Sequence, residues 1–176
     1  MSSVRRSVAA AGSAAFFALA PGIVAGVLPW WLTRWRPGAE PAHWLPVRLL
    51  GILVLLAGAA FLVQAFARFV VEGFGTPAPI APPTRLVVGG VYRYVRNPMY
   101  LAVIATILGQ ALLLWRPVLL GYAALVTAAM VAFVLAYEQP TLTDRFGDEY
   151  TAYRRAVPGW RPRLTPWRPG PGEGQD

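Results

Sequence analysis

Residues 96–139 read RNPMYLAVIATILGQALLLWRPVLLGYAALVTAAMVAFVLAYEQ, two apolar runs divided by Arg116-Pro117 with a polar pair at either end. A helix that crosses a bilayer needs roughly 20 predominantly apolar residues, and both runs qualify. The first, Pro98 to Trp115, is the shorter: its 18 residues reach about 27 Å at 1.5 Å per residue, just enough to span. So short a connection makes the two helices antiparallel neighbours, a hairpin that returns Glu138-Gln139 to the side where Arg96-Asn97 begins. The opening itself is a helix start, because Asn is a strong N-cap and Pro suits the first helical position. A helix N-terminus presents unpaired N–H groups and a partial positive charge, which favour a carboxylate or a phosphate.

Upstream, two further apolar runs extend from about Ser7 to Leu32, with Pro21 inside, and from about Pro46 to Val71. The 176-residue chain is 56% apolar with a mean hydropathy of +0.48, too apolar for a soluble globule. The expected fold is all-α, a polytopic membrane protein of four transmembrane helices. The first run is longer than the apolar core of a signal peptide and ends in Trp30-Trp31, an interfacial anchor, so it reads as a span. Gly22 and Gly26 form a GxxxG pair through which another helix could approach closely.

All 16 basic residues are arginine. Arg5, Arg6, Arg68, Arg85, Arg93, Arg96, Arg145, Arg154, Arg155, Arg161, Arg163 and Arg168 fall on one side of this topology; Arg34, Arg36, Arg48 and Arg116 fall on the other. The positive-inside rule then places both termini and the linker between the second and third spans in the cytoplasm. The expected location is the cytoplasmic membrane of a prokaryote, with the active site on the cytoplasmic side. The net charge of +8 accordingly reads as arginines bordering lipid headgroups and not as a nucleic-acid surface. With no cysteine, disulfides, a cysteine nucleophile and thiolate metal sites are excluded, and His43, alone in its loop, is no metal ligand.

Pro77, Pro79, Pro82 and Pro83 mark an extended cytoplasmic linker, and residues 85–95 follow as a short β-type or irregular stretch turning at Gly89-Gly90. Beyond the hairpin, Leu142, Phe146, Tyr150, Tyr153 and Val157 recur at helical spacing, with Asp144, Asp148, Arg154 and Arg155 off the stripe. This predicts a C-terminal amphipathic cytoplasmic helix, lying on the membrane or over the mouth of the bundle, with its aromatics anchoring at the interface. The expected organisation is a two-span scaffold over 1–72, a linker over 73–95, the hairpin with the amphipathic helix over 96–164, and a disordered tail over 165–176.

The hairpin gathers residues distant in sequence: Gly90, Tyr92, Arg96, Asn97, Pro98 and Tyr100 before it, Glu138 after it. An ionisable residue at the edge of a span has a partner or a purpose. Two readings stand. Arg96 and Glu138 form an ion pair that sets the hairpin, or Glu138 holds an ammonium or a ribose hydroxyl while the Asn97 helix start holds a carboxylate. A ligand with an amino-acid head would satisfy both ends.

Gly90-x-Tyr92-x-x-x-Arg96-Asn97-Pro98-Met99-Tyr100, a hairpin, then Glu138-Gln139-x-x-Leu142-x-x-x-Phe146-Gly147-x-x-Tyr150-x-x-Tyr153-x-x-x-Val157-Pro158 resembles the isoprenylcysteine carboxyl methyltransferase and phospholipid methyltransferase superfamily. The resemblance covers roughly residues 81–164 and rests on two distant blocks that agree in order and spacing. It implies an integral membrane methyltransferase that uses S-adenosylmethionine without a Rossmann domain. By position it makes Arg96, Asn97, Pro98, Tyr100 and Glu138 cofactor contacts, with Gly90 and Tyr92 as wall residues. The linker and amphipathic helix would cover the cofactor from the cytoplasm, while a lipid-like acceptor enters from the bilayer.

The chain departs from the family's pattern in two places, with Asn97 where His is frequent and Gln139 where a second Glu is usual. Asn97 caps and donates but cannot titrate. The expected reaction is methyl transfer to a membrane-embedded acceptor, a carboxylate oriented by Arg154 or Arg155. An amine acceptor, as in phospholipid N-methylation, would need Tyr100, Tyr92 or Glu138 to take a proton. The catalytic candidates are thus Arg154 and Tyr100. An NADPH-dependent membrane reductase and a non-enzymatic membrane scaffold are the competing classes. No metal and no nucleic acid are expected, and the oligomeric state is open.

Overall fold

The computed structural model describes residues 19–73 and 85–168, the side chains of 68–73 excepted. The start of the first apolar run, the proline-rich linker over 74–84 and the tail from 169 onward lie outside the described residues, and the expectations for them with it. Every regular element among the described residues is helical. A π turn at Ile23–Val27 leads into α1 (Leu28–Thr33), and α2 (Leu45–Gly73) follows. A 3-10 turn at Gly90–Arg93 precedes α3 (Pro98–Leu114) and α4 (Pro117–Phe133); a second π turn at Val134–Glu138 leads into α5 (Gln139–Ala156). α2, over Leu45–Ala67, and the continuous run that begins with α4 are long and apolar enough to cross a membrane. Leu19–Thr33 and Pro98–Leu114 are shorter apolar helices.

Both π turns have a local cause that the sequence holds but hydropathy hides. Each ends two residues before a proline, Pro29 or Pro140. A proline within a helix has no N–H for the carbonyl four residues back, and its ring crowds that carbonyl. Those carbonyls belong to Ala25 and Ala136, both inside the π turns, where the wider winding relieves the crowding.

The chain divides into two compact units, each discontinuous in sequence. Within the described residues the first holds 19–63 and 99–130. Its core is Ala25, Leu62, Ala102, Val103, Ile107, Ala111, Leu119, Ala123 and Val126. α2 and α3 pack antiparallel at backbone distance. A Cβ on Gly58 would lie 2.9 Å from the Thr106 nitrogen, and one on Gly51 would lie 2.6 Å from the Leu113 nitrogen. Gly109 meets Leu55 in the same way from the opposite helix. This small-residue seam does the work expected of the GxxxG pair, since among the described residues nothing stands within 4 Å of a Cβ on Gly22 or Gly26. Buried Gln110 ties the unit together. Its Nε2 donates to Ala25 O at 2.7 Å, replacing the donor that Pro29 lacks, and its Oε1 accepts from Trp35 Nε1 at 3.2 Å. At the far end of α3, Trp44 Nε1 donates to Leu112 O at 3.0 Å and Gly38 N to Leu114 O at 2.8 Å, closing the 34–44 loop over the hairpin turn.

The second unit holds 64–73, 85–98 and 131–168 of the described residues. Tyr150, Tyr153 and Val157 form its core, with Leu86, Val88, Leu142, Phe146, Ala156 and Trp167 packed on it. All five residues of the predicted stripe are here, but the helix that carries them is not continuous. Gly147 has φ 50° and ψ −121°, a conformation that glycine adopts without strain, and α5 kinks there. Residues 85–95 hold no strand; Gly90 takes φ 55° and opens the 3-10 turn.

Candidate functional site

The site belongs to the second unit and is built on the turn that precedes α3. Tyr92 closes the 3-10 turn, its N–H donating to Gly89 O at 3.1 Å, and its carbonyl accepts from the Tyr153 hydroxyl at 2.6 Å. Residues 157–168 then run along this segment as a strap. Arg96 N donates to Pro158 O at 3.0 Å, Asn97 N to Gly159 O at 3.3 Å, Arg163 N to Tyr94 O at 2.9 Å and Trp167 N to Arg93 O at 2.9 Å. Arg93 Nε returns a bond to Trp167 O at 2.7 Å. Thr165, Pro166, Trp167 and Arg168, at the start of the expected disordered tail, are part of this strap, and the Trp167 ring packs on Tyr153 with centroids 5.4 Å apart and planes tilted by 52°. Backbone satisfied by backbone is what a chain of Pro, Gly and Arg can offer where a helix cannot form.

Arg96 is fixed on two sides, its Nε donating to Val157 O at 2.7 Å and its Nη1 to the Tyr150 hydroxyl at 3.2 Å. Asn97 is 5% exposed, and its Nδ2 has no hydrogen-bond partner. A buried amide donor without an acceptor costs about 1–3 kcal/mol, so such atoms are rare and each needs a reason. Gly159 stands directly over this pair: a Cβ there would lie 3.3 Å from both Arg96 Nη2 and Asn97 Nδ2. Pro98, buried, begins α3.

Glu138 closes the second π turn and is half-buried. Its carboxylate reaches Tyr150 electrostatically, as do the guanidiniums of Arg96 and Arg154. Burial pushes the Tyr150 phenol above its ordinary range, Arg96 pulls it back and Glu138 adds to the rise. Tyr153 is pushed up further, chiefly by burial. Both phenols are therefore neutral at physiological pH, Tyr150 accepting from Arg96 and Tyr153 donating to Tyr92, and neither is poised as a base.

Of the sequence-predicted residues, Gly90, Tyr92, Arg96, Asn97, Pro98 and Glu138 share the second unit. Tyr100 stands in the first turn of α3, half-buried, in the other unit. Arg154 is exposed on α5. Tyr150 and Tyr153 are the residues that sequence reasoning misplaced. They are not interfacial anchors but core residues, 2% and 3% exposed, whose hydroxyls hold Arg96 and the Tyr92 carbonyl. The signal was present: a phenol on a buried stripe needs a partner for its hydroxyl. The strap carbonyls of Val157, Pro158 and Gly159 carried no sequence signal, since any residue has one. Among the described residues no group of three or more His, Cys, Asp or Glu could hold a metal ion.

Residues 46–149 match the model of a family described as phospholipid methyltransferase. No curated protein and no solved structure matches the chain.

Proposed function

The chain belongs to the phospholipid methyltransferase family, and we propose that it transfers a methyl group from S-adenosylmethionine to an acceptor borne by a membrane lipid. Membership makes it a methyltransferase and sets aside the reductase and the scaffold. We place it in the bilayer with four spans, the two shorter apolar helices included, and with α5 and the strap on the cytoplasmic side. The support is the density of large apolar side chains left exposed on α2 and α4, Leu49, Leu53, Leu56, Phe61, Leu120 and Leu125 among them, which water would penalise and lipid does not.

One observation carries the cofactor assignment: the buried, unpartnered Nδ2 of Asn97 at a helix start beside a guanidinium. A carboxylate is the ligand that this set fits, since it accepts from the amide and from the neighbouring cation. Glu138 suits the ammonium of the same amino-acid head. Arg96 is the cation of this set, held in place by Val157 and Tyr150. When bound, S-adenosylmethionine supplies an electrophilic methyl, whose transfer to a carboxylate oxygen breaks the methyl–sulfur bond and leaves a neutral thioether and an ester. For such a reaction the protein orients the acceptor and excludes water.

The acceptor we favour is a carboxylate. It needs no proton removed, and the phenols nearest Arg96 are held neutral. The second reading, an amine headgroup, is favoured by the family's description and would ask Glu138 to take a proton. Transfer of labelled methyl into lipid extracts separates them. Label released as methanol by mild alkali marks an ester and supports the first; alkali-stable label in an aminolipid overturns it and establishes the second.

A further inference from the structure

Leu164 is 99% exposed, the most exposed large apolar side chain among those described, and it is not on a loose end. Arg163 is held on one side of it by two bonds, N to Tyr94 O at 2.9 Å and Nη1 to Ala156 O at 2.8 Å. Trp167 is held on the other by its bonds with Arg93 and by its contact with the Tyr153 ring. Pro162 and Pro166 flank it and stiffen the backbone. The strap thus presents a leucine at the tip of a pinned loop. The same strap carries Arg161 and Arg168, both exposed, and the last turn of α5 that leads into it carries exposed Arg154 and Arg155. From Tyr150 to Gly172 the sequence has five arginines and neither Asp nor Glu.

We infer that this loop is a contact for anionic bilayer lipid, with Leu164 entering the interface and the arginines meeting the headgroup phosphates. A lone exposed leucine is unremarked on a soluble surface, but one pinned outward in a segment rich in arginine and free of acid has the composition of a membrane-contacting segment. Pinning matters because a pre-ordered loop loses little freedom on contact. The charge selects the partner: a neutral headgroup layer gives the arginines no net attraction, and salt screens what an anionic one gives. The inference rests on the placement in a membrane proposed above. It adds a lipid preference to a part of the chain that also holds Arg96 and Asn97.

The chain has no cysteine, so Leu164→Cys supplies a single site for an environment-sensitive dye. The full chain is placed in nanodiscs of phosphatidylcholine with and without phosphatidylglycerol, and the dye is read by its emission and by quenching with acrylamide, which is uncharged. The expected result is a blue shift and a several-fold fall in quenching with phosphatidylglycerol, reversed by high salt and abolished by Arg161→Ser with Arg168→Ser. Equal emission and quenching in both lipids overturns the inference. So does a shift in detergent that grows with protein concentration, which would make a second copy the partner. Failure of the membrane placement looks different: the protein would leave the nanodiscs altogether, whereas failure of the lipid contact leaves it embedded with an unresponsive label.

Discussion

Arg96 donates from Nε to the carbonyl of Val157 at 2.7 Å, so the residue two before α3 is held by the residue that caps the end of α5. The planar guanidinium does this while its Nη1 reaches the Tyr150 hydroxyl at 3.2 Å. An ammonium cannot span both. Arg96→Lys is expected to lose about 1.5–3 kcal/mol, the range for hydrogen bonds from a charged donor, and to weaken cofactor binding with it. Unfolding in detergent and binding calorimetry check the two effects. Wild-type stability in the lysine variant would mean that the clasp is incidental.

Tyr153→Phe keeps the ring and removes the hydroxyl that donates to Tyr92 O at 2.6 Å. The Tyr92 carbonyl loses that buried donor, at a cost of about 0.5–1.5 kcal/mol. Tyr94→Phe is the control, since that side chain is exposed and only its backbone is used. A drop in melting temperature confined to the Tyr153 variant is the expected outcome; equal melting of both would remove the buried bond from the account.

The raised phenols give an alkaline limit. In the unfolded chain a tyrosine ionises near a pKa of about 10, whereas Tyr150 and Tyr153 ionise higher in the fold because burial disfavours the phenolate. Above pH of about 10 the folded state therefore binds more protons than the unfolded one, and stability falls as pH rises. Below that the contribution is fully present and flat. Unfolding midpoints measured across this range should decline by up to about 1.4 kcal/mol per pH unit and per tyrosine, and Tyr153→Phe should flatten the decline. An unchanged slope in that variant would place the titration elsewhere.

The carbonyl of Ala25 depends on Gln110 because Pro29 has no N–H to give it. Gln110→Leu is expected to cost about 1–3 kcal/mol by leaving that carbonyl and Trp35 Nε1 without partners. Pro29→Ala restores the helical donor, so in the Gln110→Leu background it should recover part of the loss. The double-mutant cycle measures this directly; additive effects would separate the π turn from the glutamine.

The fold was legible wherever burial follows a period. The apolar runs marked the helices, and the spacing of Leu142, Phe146, Tyr150, Tyr153 and Val157 marked a face that the structure buries as one cluster. The two blocks around Arg96-Asn97-Pro98 and Glu138 pointed to the family that the match over 46–149 establishes. What stayed hidden has physical reasons. Hydropathy has no term for winding, so the π turns before Pro29 and Pro140 escaped it. A single glycine in a helical pattern is tolerated as often as it kinks, so Gly147 gave no warning. The strap is bound through backbone carbonyls, which leave no trace in side-chain pattern. Gly22 and Gly26 have the spacing of a helix-packing pair, whereas the close approach falls to Gly51, Gly58 and Gly109, whose partners lie on another helix.

The central claim is that Asn97 and Glu138 grip the amino-acid head of S-adenosylmethionine, and calorimetry on the purified chain tests it most directly. Asn97→Asp keeps an oxygen at the helix start but replaces the unpartnered donor with a negative charge. It is expected to lower affinity at least about tenfold, equivalent to 1.4 kcal/mol, as is Glu138→Ala, while Tyr94→Phe binds as the wild type does. A well-folded wild-type protein that does not bind the cofactor, or both site variants binding it at full affinity, would contradict the account.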